Sequence, residues 1–134
     1  MQSTFSMDER TSEILTRFKK SWATTKDFYD KLIANYPGWN KLIPLRTFIE
    51  ALEEKGKDNY FRLGTSVDRL IISRSVDHGL RVDQKYILIE TISSNDFEVT
   101  LRDGEKTYRQ YRISDLRDER LNTLLKTLKH TLVD

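Results

Sequence analysis

Apolar side chains recur three or four residues apart along the first quarter of the chain. This spacing is typical of an amphipathic helix that buries one stripe. The predicted helix begins at Ser6, because Ser6 and Glu9 have the spacing of a capping box, and it ends near Asn35, ahead of Pro37-Gly38. The stripe weakens over residues 23–25, which is compatible with a bend there. It consists of Ile14, Leu15, Phe18, Trp22, Tyr29, Leu32, Ile33 and Tyr36.

Two shorter helices follow from the same periodicity. One is predicted over residues 44–55, with Pro44 in its first turn and Gly56 just past its end. The other is predicted over residues 115–132, with Ser114 as its N-cap. Their apolar faces carry Leu45, Phe48, Ile49 and Leu52 in the first, and Leu121, Leu124, Leu125, Leu128 and Leu132 in the second.

Strand-like patterns lie between the second and third helices. They cover residues 60–65, 68–75, 86–92, 97–102 and 106–113. Residues 86–92 are apolar on both faces apart from Glu90 and Thr91, which places this strand centrally, and the last three strands form a meander. The predicted fold is therefore α+β. An antiparallel sheet of four or five strands is covered by two N-terminal helices and one C-terminal helix, as a single domain over residues 1–134 with a flexible segment at 1–5.

The strongest local signal is a hairpin turn at Asp103-Gly104, a dipeptide favoured in two-residue type I′ turns. That turn predicts a register in which Arg102 faces Glu105, Thr100 faces Thr107 and Glu98 faces Arg109. In this register Tyr108 points into the core beside Phe97, Val99 and Leu101.

The charge balance and the lack of cysteine exclude or disfavour several classes of function. The chain carries 23 basic and 21 acidic residues, a net charge of +2, and this balance exerts little long-range attraction on nucleic acid or anionic membranes. It has no cysteine, so disulfides, thiolate metal sites and cysteine nucleophiles are excluded, and two distant histidines do not suggest a metal site. We expect a cytoplasmic protein with no cofactor and no membrane partner, because no signal peptide or long apolar run is evident.

The densest polar segment is residues 73–81, at the end of the second predicted strand. Arg74, His78 and Arg81 could together hold an anion or a small ligand, with His78 as a candidate base of an unusual enzyme. The competing interpretation is a surface turn at Asp77 and His78, in which the arginines pair with nearby carboxylates.

Residues 107–112 alternate tyrosine and arginine, a pattern that can combine base stacking with phosphate binding. The predicted register pairs Arg109 with Glu98 and buries Tyr108, which leaves Tyr111 and Arg112 as candidate binding residues. Nearby acids further disfavour nucleic acid as the ligand.

Trp39 follows Pro37-Gly38 after the first helix and is either a partner-binding anchor or a plug at the end of the core. No catalytic constellation is evident, so the favoured function is a small non-enzymatic protein-binding domain, such as an adaptor, a regulator or an immunity-like protein. The first helix is longer than a small sheet requires, which leaves a homodimer open.

Overall fold

Helices and strands occur in the order that the periodicity predicts. The computed structural model describes residues 2–76 and 84–131, with side chains from residue 9 onward. Helix α1 spans Gln2–Asn35, a 3-10 turn Pro37–Leu42, α2 Ile43–Glu54, and a second 3-10 turn Lys57–Asn59. The strands are β1 Arg62–Ser66, β2 Arg69–Ser73, β3 Lys85–Ser93, β4 Asp96–Asp103 and β5 Lys106–Ile113, followed by α3 Glu119–Lys129.

The sheet confirms the predicted α+β class. In the described part of the chain it has five antiparallel strands in the order β1-β2-β3-β4-β5, so β3 is central as predicted. One face carries the core, where Ile87 and Ile89 of β3 lie between Ile72 of β2 and Leu101 and Val99 of β4. Leucines of α3 and apolar residues of α2 bury this face.

Helix α1 packs along the outer edge of β1. The Trp22 indole N–H donates a 2.7 Å hydrogen bond to the Phe61 carbonyl, and the Tyr29 hydroxyl donates a 3.0 Å bond to the Asp68 carbonyl. Both aromatic residues are fully buried, and burial raises the pKa of the Tyr29 hydroxyl. The predicted apolar stripe therefore closes one edge of the sheet.

Two predicted helix starts are wrong. Helix α1 begins at Gln2, so Ser6 lies inside it and is not the N-cap, and the helix continues through residues 23–25. Helix α3 begins at Glu119 with Asp118 as N-cap, where the Asp118 side chain accepts a 2.9 Å hydrogen bond from the Arg120 N–H. Residues 114–118 instead form turns, because the Asp115 side chain accepts a bond from the Arg117 N–H. Gly56 has the left-handed φ of 76° expected after α2.

The structure confirms the hairpin between β4 and β5 but moves its two-residue loop by one position and corrects its register. Asp103 pairs with Lys106, so Gly104 and Glu105 form the loop, and Gly104 takes a left-handed φ of 63°. A bulge at Tyr108 then shifts β5 by one residue. The shift places Tyr111 opposite Val99 and Ile113 opposite Phe97. The predicted register was wrong because it would have turned Tyr111 and Ile113 away from the core.

Candidate functional site

Trp39 lies in the 3-10 turn between α1 and α2. Its ring is half-buried and packs against the core, and the Lys41 ammonium lies 5.5 Å from the ring centroid. These contacts are those of a residue that closes the end of the core, and they leave part of the ring in solvent.

The described part of the polar segment turns inward. Ser73 and Ser75 are buried, and Arg74 donates a 2.8 Å hydrogen bond from its guanidinium to the Tyr60 carbonyl. Burial lowers the pKa of Arg74. His78 and Arg81 lie outside the described residues, so the structure does not bring the three predicted residues together as a site.

A cavity of about 780 Å³ lies between α1 and the strands β1 and β2. Hydroxyl groups from both sides and the cation of Lys20 line it. Two further cations at its wall have partners, because Arg17 pairs with Glu13 and Arg62 donates to the Val76 carbonyl. Its described lining comprises Arg17, Lys20, Ser21, Thr24, Thr25, Phe28, Arg62, Leu63, Gly64, Thr65, Ile71, Ser73 and Val76.

The corrected register changes which residues of β5 are available. Arg112 is occupied by a two-pronged ion pair with Asp96, at 2.6 and 2.7 Å, and this pair lowers the pKa of the Asp96 carboxyl. Tyr111 is half-buried against the core, and the Arg120 guanidinium lies 5.4 Å from the centroid of the Tyr111 ring. Tyr111 and Arg112, the two residues predicted as candidates for binding nucleic acid, thus both make contacts within the fold.

Tyr108 and Arg109 are exposed near the hairpin tip, whereas the predicted register buried Tyr108 in the core and paired Arg109 with Glu98. Tyr108 is 51% exposed and does not point into the core as predicted. The Arg109 guanidinium lies 4.8 Å from its ring centroid and the Lys85 ammonium 5.6 Å from it. Arg109 does not pair with Glu98, and Arg102 donates to the Glu105 carbonyl at 2.6 Å, so neither arginine has the predicted carboxylate partner.

An apolar groove, which no sequence pattern indicated, lies between α2, the β3–β4 turn and the loop before α3. Its volume is about 380 Å³, and Ile43 at its lip is 48% exposed. The Asp115–Arg117 ion pair, at 2.7 Å, lies at its polar end. This α2 groove is lined by Ile43, Pro44, Thr47, Phe48, Ala51, Ser94, Phe97, Ser114, Asp115, Leu116 and Arg117.

The described residues contain no cluster of three metal-binding side chains. None of the helices in residues 2–76 and 84–131 combines the length and apolar character needed to cross a membrane. The chain matches no protein-family model, no curated protein and no solved structure.

Proposed function

We propose that this chain is a non-enzymatic protein-binding domain whose contact surface is the α2 groove. The observation that carries the proposal is the 48% exposure of Ile43 at the lip of a concave apolar surface. Apolar side chains that are exposed next to one another mark interaction sites, whereas scattered single apolar residues are ordinary surface. Ile43, Thr47 and Ala51 follow one another at helical spacing along this surface.

The charged end of the α2 groove also supports a protein interface at this surface. Arg117 has an 89% exposed side chain and is held by Asp115, so a charged group lies where an apolar partner segment would leave the groove. An apolar core with a polar rim is the usual anatomy of a protein interface.

The test is affinity purification from the native cells, with nuclease present, using three forms of the tagged protein. We expect the wild type to retain a stoichiometric protein partner and Ile43→Glu to lose it, by about 2 kcal/mol or roughly thirtyfold in affinity. The control is Val67→Glu, because Val67 is also an exposed aliphatic residue, at 78%, but lies in the β1–β2 turn. Equal retention by both variants would contradict the proposal.

The large cavity beside α1 supports a second candidate function, the binding of a small polar ligand. Its volume of about 780 Å³ lies in the range of ligand pockets, and Ser73 at its wall begins the polar segment identified from the sequence. Thermal-shift screening of small anions and metabolites tests it. A stabilising compound should lose its effect in Lys20→Ala, and a compound that stabilises this variant equally does not bind there.

A further inference from the structure

The two edges of the sheet differ in how their backbones are covered. At β1, Ser21 of α1 accepts a hydrogen bond from the Leu63 N–H, and Trp22 donates to the carbonyl of Phe61, the residue before the strand. Strand β5 is last in the sheet order, and no described strand or helix forms a hydrogen-bonded ladder with its outer side. An uncovered edge presents backbone N–H and C=O groups to any extended chain that approaches.

This open edge is basic. Strand β5 carries Lys106, Arg109 and Arg112 and has no acidic residue. Arg112 is neutralised by Asp96, whereas Lys106 and Arg109 are exposed and form no ion pair with any carboxylate of the described residues. The Lys85 ammonium lies over the neighbouring Tyr108 ring and adds a third cation to this surface.

We propose that β5 binds an extended acidic segment of a partner protein as a sixth strand. Backbone hydrogen bonds would supply the affinity, and carboxylates beside Lys106 and Arg109 would supply the selectivity. The proposal rests on the general protein-binding function proposed above. It concerns a different surface from the α2 groove, so the experiments can refute one surface without refuting the other.

Charge argues against a second copy of this chain on the same edge. Antiparallel pairing of two β5 strands would bring together two strands that each carry cations and no acids, and like charges in paired strands are destabilising.

The geometry also favours a peptide over single-stranded nucleic acid. Arg109 and Lys85 already lie over the Tyr108 ring, at 4.8 and 5.6 Å from its centroid, so a base would have to displace them in order to stack.

The experiment measures binding of a fluorescent peptide of about ten residues, in which glutamate alternates with valine or threonine. Three controls accompany it. One is the same peptide methylated on alternate backbone nitrogens, which keeps the charge but prevents strand pairing. The others are a peptide with lysine in place of glutamate and an oligothymidine of similar length.

On the protein side, the variant Lys106→Glu/Arg109→Glu is compared with Lys31→Glu/Lys126→Glu, because Lys31 and Lys126 line neither the cavity beside α1 nor the α2 groove. Both double variants change the net charge equally, and all four lysine and arginine side chains are exposed. We expect the acidic peptide to bind, with at least a tenfold loss on N-methylation or in Lys106→Glu/Arg109→Glu and little change in the control variant. Ile43→Glu should bind the peptide as the wild type does, which separates this surface from the α2 groove.

Several results would overturn the proposal. They are absence of peptide binding, equal binding of the methylated peptide, equal binding by the two double variants, and loss of binding in Ile43→Glu. Oligothymidine binding that is lost in Lys106→Glu/Arg109→Glu, without acidic-peptide binding, would assign the edge to nucleic acid instead. If Ile43→Glu and Val67→Glu both retain the cellular partner, only the function proposed for the α2 groove is refuted.

Discussion

The Ser21 hydroxyl of α1 accepts a 3.0 Å hydrogen bond from the backbone N–H of Leu63, a buried residue of the edge strand β1. The same hydroxyl donates a 2.6 Å bond to the Phe18 carbonyl of its own helix. Ser21 and Leu63 are both buried, so this bond satisfies a buried backbone N–H that no described neighbouring strand pairs. A helix side chain therefore takes the role of a neighbouring strand.

Ser21→Ala should destabilise the fold by about 1–2 kcal/mol, because it leaves the Leu63 N–H buried and unpaired. Urea denaturation measures the change. The control is Thr24→Ala on the same helix, since the exposed Thr24 hydroxyl donates only to the Lys20 carbonyl one turn earlier. If both variants unfold at the same urea concentration, the bond to Leu63 contributes nothing to stability.

Val67→Gly should raise stability by up to about 1 kcal/mol. Val67 occupies the first position of the two-residue β1–β2 loop with φ of 59°, a conformation that is strained for a β-branched residue and suits glycine. Thermal unfolding checks this. Val67→Ala keeps a Cβ atom and should gain less, and an equal gain would show that side-chain branching, not backbone strain, was being relieved.

Thr91→Val should raise stability by about 1 kcal/mol. The Thr91 hydroxyl is buried and has no hydrogen-bond partner among residues 9–76 and 84–131, and valine has nearly the same shape. The matched control is Thr100→Val in the adjacent strand, because the Thr100 hydroxyl accepts a 3.1 Å bond from Gln110. Calorimetry should find opposite signs for the two variants, and a loss of stability in Thr91→Val would contradict the prediction.

Arg74→Ala should lower stability by about 1–2 kcal/mol. Its guanidinium holds the Tyr60 carbonyl at 2.8 Å and is partly withdrawn from water, which are the features of a structural residue. Unfolding in urea decides between this role and the ligand-binding role suggested by the sequence. An unchanged midpoint would leave Arg74 available to a ligand.

Asp115 should make the fold sensitive to acid. Hydrogen bonds from Arg117 lower the pKa of Asp115 to about 2, and the bond from the Arg117 side chain has a larger effect than the bond from its backbone N–H. A carboxyl whose pKa is lower in the folded chain than in the unfolded chain stabilises the fold above the unfolded value, near 3.9. That contribution is lost as the pH falls from about 4 to about 2.

The measurement is the urea midpoint at about pH 5 and about pH 2 for the wild type, Asp115→Asn and Arg117→Ala. We expect both variants to be less stable than the wild type at the higher pH and to approach it at the lower one. A difference between wild type and Asp115→Asn that is the same at both pH values would mean that the Arg117 contacts do not act on the carboxyl's ionisation.

The sequence signals that predicted the structure correctly were hydrophobic periodicity within a helix or strand and the glycine that follows α2. Helical spacing located the three α-helices of the described residues. The segment around Ile87 and Ile89, which is apolar on both faces, lies at the centre of the sheet as predicted. Gly56 ended α2 as expected. By contrast, capping signals at Ser6 and Ser114 failed, since a neighbouring residue offered a competing hydrogen bond or the helix simply continued.

By itself, the sequence determined the α+β class, an antiparallel sheet of four or five strands and the meander, because alternation and helical periodicity are repeated over many residues. Only the tertiary structure decided the register of β5. Cross-strand charge pairs favour the predicted register by a few tenths of a kcal/mol each, whereas burial of Tyr111 and Ile113 against Val99 and Phe97 is worth more and selected the bulge at Tyr108. The α2 groove and the basic edge depend on residues distant in sequence, so only the packed chain brings them together.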